Sequence, residues 1–214
     1  MGLNMDTQTS SLYLTFEESP VRPNENNFAF VPPRITDDDA FWEFCQKNPT
    51  LRIERDETGE VTIMPPSGWD TGVSNNEIGR QLGNWNIDAG EPGYVAASSA
   101  GYRLPNRHDR APDASWTRRY RIDALPAEQR EKFAPLCPDF VIKLMSPSDS
   151  LTKTQEKMED FIANGTLLGW LIDRKNRTIY VYRPDNETET LVNPSEVSAD
   201  PELPGFILSL KWVF

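Results

Sequence analysis

Cys137-Pro138-Asp139-Phe140-Val141-Ile142-Lys143-Leu144-Met145-Ser146-Pro147-Ser148-Asp149 is the stretch on which the fold turns. Phe140 to Met145 is a short, almost unbroken apolar run bounded by prolines, which reads as a strand buried on both faces, yet Lys143 stands in its middle. Upstream, Ala111-Pro112-Asp113-Ala114-Ser115-Trp116 is a second Pro-Asp leading into a strand-like run. Downstream, a helix carrying Lys157 is expected over about 151–164, with Gly165 just past its end as the left-handed residue that closes it. Carboxylates at two strand starts and a lysine on the following helix suit metal-dependent phosphodiester chemistry.

Working outward, Thr36 is expected to cap a helix running to about Lys47, with Asp37, Asp38 and Asp39 in its first turn. Leu51–Arg55 and Val61–Met64 form a hairpin around Asp56-Glu57-Thr58-Gly59. A long helix spans about Asp70 to Ala89, with Val73, Ile78, Leu82 and Trp85 as its buried stripe and Glu77 one position before Ile78. Tyr94–Ala97 and Gly101–Leu104 read as two adjacent strands. Residues 117–120 read as a helical turn and 126–133 as a helix with proline in its first turn. Gly169–Asp173 and Thr178–Arg183 form a second hairpin, and short strands near 189–192 and 206–213 are expected to add edges to the sheet. This order describes an α/β or α+β domain with a mixed central sheet flanked by helices.

At 214 residues, 37% apolar and 10% aromatic, the chain can bury a sizeable core. One domain is expected over 34–214, preceded by an irregular arm over 1–33 rich in Pro and Asn, from which Phe28, Phe30 and Val31 could dock on the body. No window approaches the roughly 18 apolar residues of a membrane span. The first residues lack a basic start and an apolar stretch, so the expected compartment is the cytoplasm and no membrane partner is expected. Cys45 and Cys137 lack the spacing of a zinc site and read as thiols in apolar settings.

The net charge of −11, from 22 basic and 33 acidic residues, opposes free association with nucleic acid unless a local basic cluster or divalent cations intervene. One cluster exists: Arg103, Arg107, Arg110, Arg118, Arg119 and Arg121, with the single His108, share a stretch whose only acids are Asp109 and Asp113. It reads either as a solvated loop balancing neighbouring acids or as a phosphate-facing rim. His108 assembles into no triad on sequence grounds, and Trp170 reads as core.

The run 138–149, then Glu156-Lys157-Met158-Glu159-Asp160-Phe161, Asn164-Gly165 and Gly169-Trp170-Leu171-Ile172-Asp173, together with Ala111-Pro112-Asp113, resembles the Uma2 family, also called DUF820, over roughly residues 36–190. The resemblance implies a restriction-endonuclease-like fold of the PD-(D/E)XK class and a Mg²⁺- or Mn²⁺-dependent endonuclease, acting on nucleic acid, expected to be DNA, as a homodimer. Such a site uses strand carboxylates to hold the ion, which stabilises charge developing on the phosphate oxygens and acidifies its bound water. Carried over, Asp113 is the metal aspartate, Lys157 the lysine on the following helix, and Glu77 an auxiliary acid. The second strand carboxylate is expected at position 143, where this chain has lysine.

Lys143 therefore has three readings. Its ammonium takes the place of the metal and pairs with Asp113, which leaves the enzyme weak or inactive and without a metal cofactor, a nuclease-fold protein binding nucleic acid or a protein partner. Alternatively it is a catalytic lysine with the acids rearranged to Asp113, Asp139 and Glu77, since Asp139 and Lys143 share one face of an unbulged strand. Or the strand is an edge and the lysine reaches water. Asp139 equally reads as a backbone cap at the strand start, and Lys157 as a surface ion-pair partner.

Overall fold

The computed structural model describes residues 33–214, and the expected arm lies outside them apart from Pro33. The chain divides at Pro65–Pro66 into two compact units.

The first unit comprises a helix, α1 (Asp38–Lys47), and a hairpin of β1 (Arg52–Arg55) and β2 (Val61–Met64). The cap of α1 is Asp37 rather than Thr36: its backbone is extended and its carboxylate accepts from Ala40 N at 2.8 Å. In the hairpin, Arg52 faces Met64 and Arg55 faces Val61. Asp56 closes its turn by accepting from Thr58 N and Glu60 N, both at 2.9 Å. Gly59 must be glycine on two counts: φ is +85°, and a Cβ would stand 2.8 Å from the backbone of Ile35. Arg55 is buried, and its guanidinium bonds Asp38 at 2.7 Å and the carbonyl of Asp37 at 3.0 Å while lying over the Phe41 ring.

The second unit runs through α2 (Trp69–Asp88), β3 (Gly93–Ala97), β4 (Tyr102–Arg103), β5 (Asp109–Arg110), β6 (Ala114–Arg118), α3 (Arg119–Asp123), α4 (Ala127–Arg130), β7 (Phe140–Leu144), α5 (Leu151–Ala163), β8 (Leu168–Asp173), β9 (Thr178–Tyr182), β10 (Glu189–Val192), β11 (Glu196–Ser198) and β12 (Ile207–Ser209). Its principal sheet has the order β10-β9-β8-β7-β6-β3. Only β7 and β8 are parallel within it, joined by the α5 crossover that a parallel pair requires.

β7 is therefore interior, with β6 and β8 on its two sides, and all five of its residues are buried. The reading of Lys143 as an edge residue falls on this point. Phe140, Ile142 and Leu144 face one way, into a cluster with Ile78 and Leu82 of α2, Trp116, Trp170 and Phe206. Val141 faces the other way, with Met158 and Phe161 of α5, Leu171 and Tyr182. The sheet is thus covered by α2 on one face and α5 on the other, which is why β7 alternates between two apolar layers rather than between core and solvent.

Several local expectations shift. β3 and β4 are not neighbours: β3 pairs with β6, and β4 with β5. The segment 117–118 ends β6, so the helical turn begins at Arg119, and the helix expected over 126–133 is only Ala127–Arg130. Val73 is 47% exposed, because Thr71, Ser74, Ile78 and Leu82 occupy the buried side of α2. Of the tail strands, β10 does extend the large sheet, but β12 pairs with β11 in a separate two-stranded sheet.

Neither cysteine forms a disulfide. Cys137 is buried, its thiol 3.4 Å from the Phe161 carbonyl and 3.2 Å from Thr166 Oγ1, and burial pushes its pKa up to about 11. With the thiolate suppressed and access closed, Cys137 is expected to be inert in the folded protein. Titration with a chromogenic disulfide should count one reactive thiol, Cys45, in buffer and two in denaturant. Two reactive thiols in buffer would contradict the buried placement.

Candidate functional site

The centre of the site lies where β6 leaves β7. The register pairs Ala114 with Ile142, so Asp113, one residue before β6, stands across from Lys143, and its amide donates to the Ile142 carbonyl at 2.9 Å. Lys143 Nζ lies 3.2 Å from Asp113 Oδ2, with the two side chains only 11% and 5% exposed. The same oxygen accepts from Leu144 N at 2.8 Å. Asp113 thus supplies a backbone donor of β7 with the acceptor that a continuing β6 would have provided, and it neutralises a buried ammonium.

Along the same face, one ladder step on, Ser115 is buried with its hydroxyl 2.8 Å from the Tyr102 hydroxyl, whose pKa burial raises. Asp139 lies at the other end of β7. Four residues from Lys143, it is roughly 13 Å away along the strand at about 3.3 Å per residue. Its carboxylate accepts from Arg118 N at 2.9 Å and meets the guanidiniums of Arg118 and Arg121, each at 3.0 Å. Glu77 belongs to α2, which packs on the opposite face, and is bound by Arg80 at 2.6 Å and Gln81 at 2.9 Å. The Arg80 hydrogen bonds hold its carboxyl below the usual range.

Asp113 and Lys143 are therefore brought together, whereas Asp139 and Glu77 are drawn to separate arginines. Among the described residues no three His, Cys, Asp or Glu side chains group as a metal site. A Mg²⁺ ion needs an oxygen-lined position that leaves room for its own water. An ammonium 3.2 Å from the Asp113 carboxylate, which also accepts an amide, does not offer that position. The residues present do not fit the ion.

Lys157 is half-buried on α5, on the flank that three residues later carries Asp160. That flank faces the loop before β6. Asp160 accepts from His108 Nδ1 at 2.5 Å, Asn106 Nδ2 at 2.6 Å and Arg110 Nε at 3.1 Å. The same His108 Nδ1 also lies 3.0 Å from Arg110 Nη2, so the imidazole, the guanidinium and the carboxylate form one cluster. This clasp, 52 residues apart in sequence, is invisible to local pattern reading.

The arginines of the proposed rim are largely engaged. Arg103 bonds buried Asp109 at 2.9 Å, Arg110 bonds Asp160, Arg118 bonds Asp139, and Arg119 bonds Glu91 at 3.2 Å while covering the Tyr94 ring. Arg107 is exposed in a turn at φ +71°.

A crystal structure described as "a putative nuclease belonging to DUF820" from Anabaena variabilis superposes with a TM-score of 0.64 at 23% identity, covering 76% of this chain and 91% of that one. At that identity the likeness speaks for a shared fold. No curated protein matches the chain. The family model described as "Uma2: Putative restriction endonuclease" matches residues 38–211, which takes in β6, β7 and α5, and the chain belongs to the Uma2 family.

Proposed function

We propose that this protein is a nuclease-fold, nucleic-acid-binding member of the Uma2 family in which the Lys143–Asp113 ion pair has replaced the metal centre, so that it engages a phosphodiester backbone without Mg²⁺-dependent hydrolysis. The single observation that carries this reading is the ammonium of Lys143, 3.2 Å from Asp113 on an interior strand, at the position where the family resemblance puts a carboxylate. A fixed positive charge there balances Asp113, and it offers neither a bound water to acidify nor an open coordination position. Nucleic acid is the partner implied by family membership, and Lys157 with the rim Arg103, Arg107, Arg110, Arg118 and Arg119 are the proposed contacts. Because most of those arginines also hold acids, binding is expected to be weak and strongly salt-dependent.

A second reading, a Mg²⁺- or Mn²⁺-dependent endonuclease using Asp113, Lys157 and Lys143, is favoured by one feature: Asp113 is retained, and α5, which carries Lys157, covers the sheet face on which Val141 lies. The two readings separate on Lys143→Glu. If the ion pair has replaced the metal, parent protein neither takes up Mn²⁺, followed by electron paramagnetic resonance, nor cuts plasmid, single-stranded DNA or RNA. Lys143→Glu should then gain Mn²⁺ affinity and a rise in melting temperature with the ion. Cleavage by the parent that disappears in Asp113→Ala would establish the second reading. A Lys143→Glu protein that folds yet takes up no Mn²⁺ would remove position 143 as the missing ligand. Anisotropy of labelled DNA and RNA against salt tests the binding itself.

A further inference from the structure

A cleft of about 530 Å³ opens on the α2 side of the principal sheet, where β6 runs into α3. That volume lies within the range of about 300–1,000 Å³ typical of small-molecule sites. Trp85 of α2 and Trp116 of β6 line it, and Tyr120, 68% exposed, adds a phenol ring. The two indoles meet edge-on at 5.7 Å, and both of their N–H groups are already used. Trp85 donates to the Pro204 carbonyl at 3.1 Å and Trp116 to Asn86 Oδ1 at 2.8 Å. They therefore offer ring surface alone to anything that enters. The wall carrying Pro204 is a fixed turn, in which Leu203 N donates to the Ala199 carbonyl and Gly205 N to Asp200 Oδ1, each at 2.9 Å. The cleft is thus formed before a ligand arrives, which spares the cost of ordering it.

Two charged side chains line the cleft, Glu202 and Arg118. Glu202 is balanced within the protein, since both of its oxygens accept from Arg183, at 3.0 and 3.2 Å. Arg118 is not. Arg118 and Arg121 both place Nη1 3.0 Å from the same oxygen of Asp139, so one buried carboxylate faces two part-exposed guanidiniums and a single positive charge is left over. A guanidinium carries five N–H donors in a planar fork that matches a carboxylate, and among the described residues Asp139 takes only Nη1 of Arg118. The amides of Ala89 and Glu91 take the Trp85 and Asn86 carbonyls at 2.8 and 2.7 Å, which tempers the negative end of α2 beside the cleft. A monoanion balances the surplus charge, whereas a dianion would add to a net charge that is already −11.

We infer that this cleft binds a small aromatic carboxylate, its flat body against Trp85, Trp116 and Tyr120 and its carboxylate on the remaining donors of Arg118. The site is separate from the Lys143–Asp113 pair, because Arg118 lies five residues beyond Asp113, about 16 Å along the strand. It requires no phosphodiester, so it stands whether or not the protein binds nucleic acid.

Isothermal titration of the full chain with naphthoate tests this. The expected result is a dissociation constant below about 200 μM, with naphthamide, the same body without the charge, at least about tenfold weaker. Arg118→Gln should lower the naphthoate affinity to that of the amide and leave amide binding unchanged. Arg121 still holds Asp139 in that variant, which preserves the start of β7. Tyr120→Ala, at an exposed position, should weaken both ligands by about fivefold. A naphthoate dissociation constant above about 200 μM, equal affinity for the amide, or indifference to either substitution would each overturn the proposal. Adenosine monophosphate binding more tightly than naphthoate would overturn it too, in favour of a nucleotide slot.

Discussion

Asp113→Ala is expected to lower unfolding stability by about 3–5 kcal/mol, because it strips the partner from a buried charge. The ammonium of Lys143 keeps its place on an interior strand with 9% of the residue exposed, so it cannot recover hydration without displacing the α5 layer. Leu144 N loses its acceptor in the same change, adding the penalty of an unsatisfied buried donor. For a protein of this size the melting temperature should fall by about 10 °C. Lys143→Met should cost less, because the remaining carboxylate still accepts from Leu144 N. The pair Asp113→Asn with Lys143→Met should approach parent stability, since a buried ion pair is often no better than a neutral pair of similar volume. Denaturant titrations of the three variants measure this, and a loss below about 1 kcal/mol for Asp113→Ala would mean that Lys143 is hydrated after all.

Trp170→Ala should be comparably severe, at about 3–5 kcal/mol, for a reason of packing rather than charge. Trp170 lies on β8 directly across from Ile142 and is fully buried. Its ring meets Phe140 edge-on at 4.8 Å and stacks on Phe206 at 5.8 Å. Truncation removes both aromatic contacts and opens a cavity at the middle of the sheet. Trp170→Phe separates volume from polarity: the indole N–H has no hydrogen-bond partner among the described residues, so phenylalanine forfeits volume and no bond. It should retain well over half of the stability that alanine loses. Thermal melts followed by circular dichroism would show it, and an alanine variant that melts with the parent would mean that the β7–β8 layer is not the stabilising core.

Lys143 and Trp170 also divide what is legible in a sequence from what is not. That Phe140 to Leu144 is buried on both faces can be read from its unbroken apolar run, and Trp170 could be assigned to the core on the same ground. The second hairpin appears as β8 and β9, with Arg174 to Arg177 between them. Gly165 ends α5 at φ +109°, the conformation expected of a residue just past a helix. The family was legible too, since its motifs occur in order along 138–173. By contrast, Val73 follows helical spacing but points outward, because spacing gives the period of a helix and not which side meets the sheet.

The sequence by itself therefore determined the longer elements, the buried strand and the family, since these follow from short-range periodicity, turn chemistry and motif order. Tertiary structure alone decided the partners. Asp139, a possible metal ligand in sequence, is drawn to Arg118 and Arg121, and Glu77 to Arg80. His108 finds Asp160 on α5. Strand pairing between segments some thirty residues apart is what sets Asp113 against Lys143. The lysine can be seen in the sequence as a charge in an apolar run, but only the register of β6 on β7 identifies the carboxylate that makes its burial tolerable.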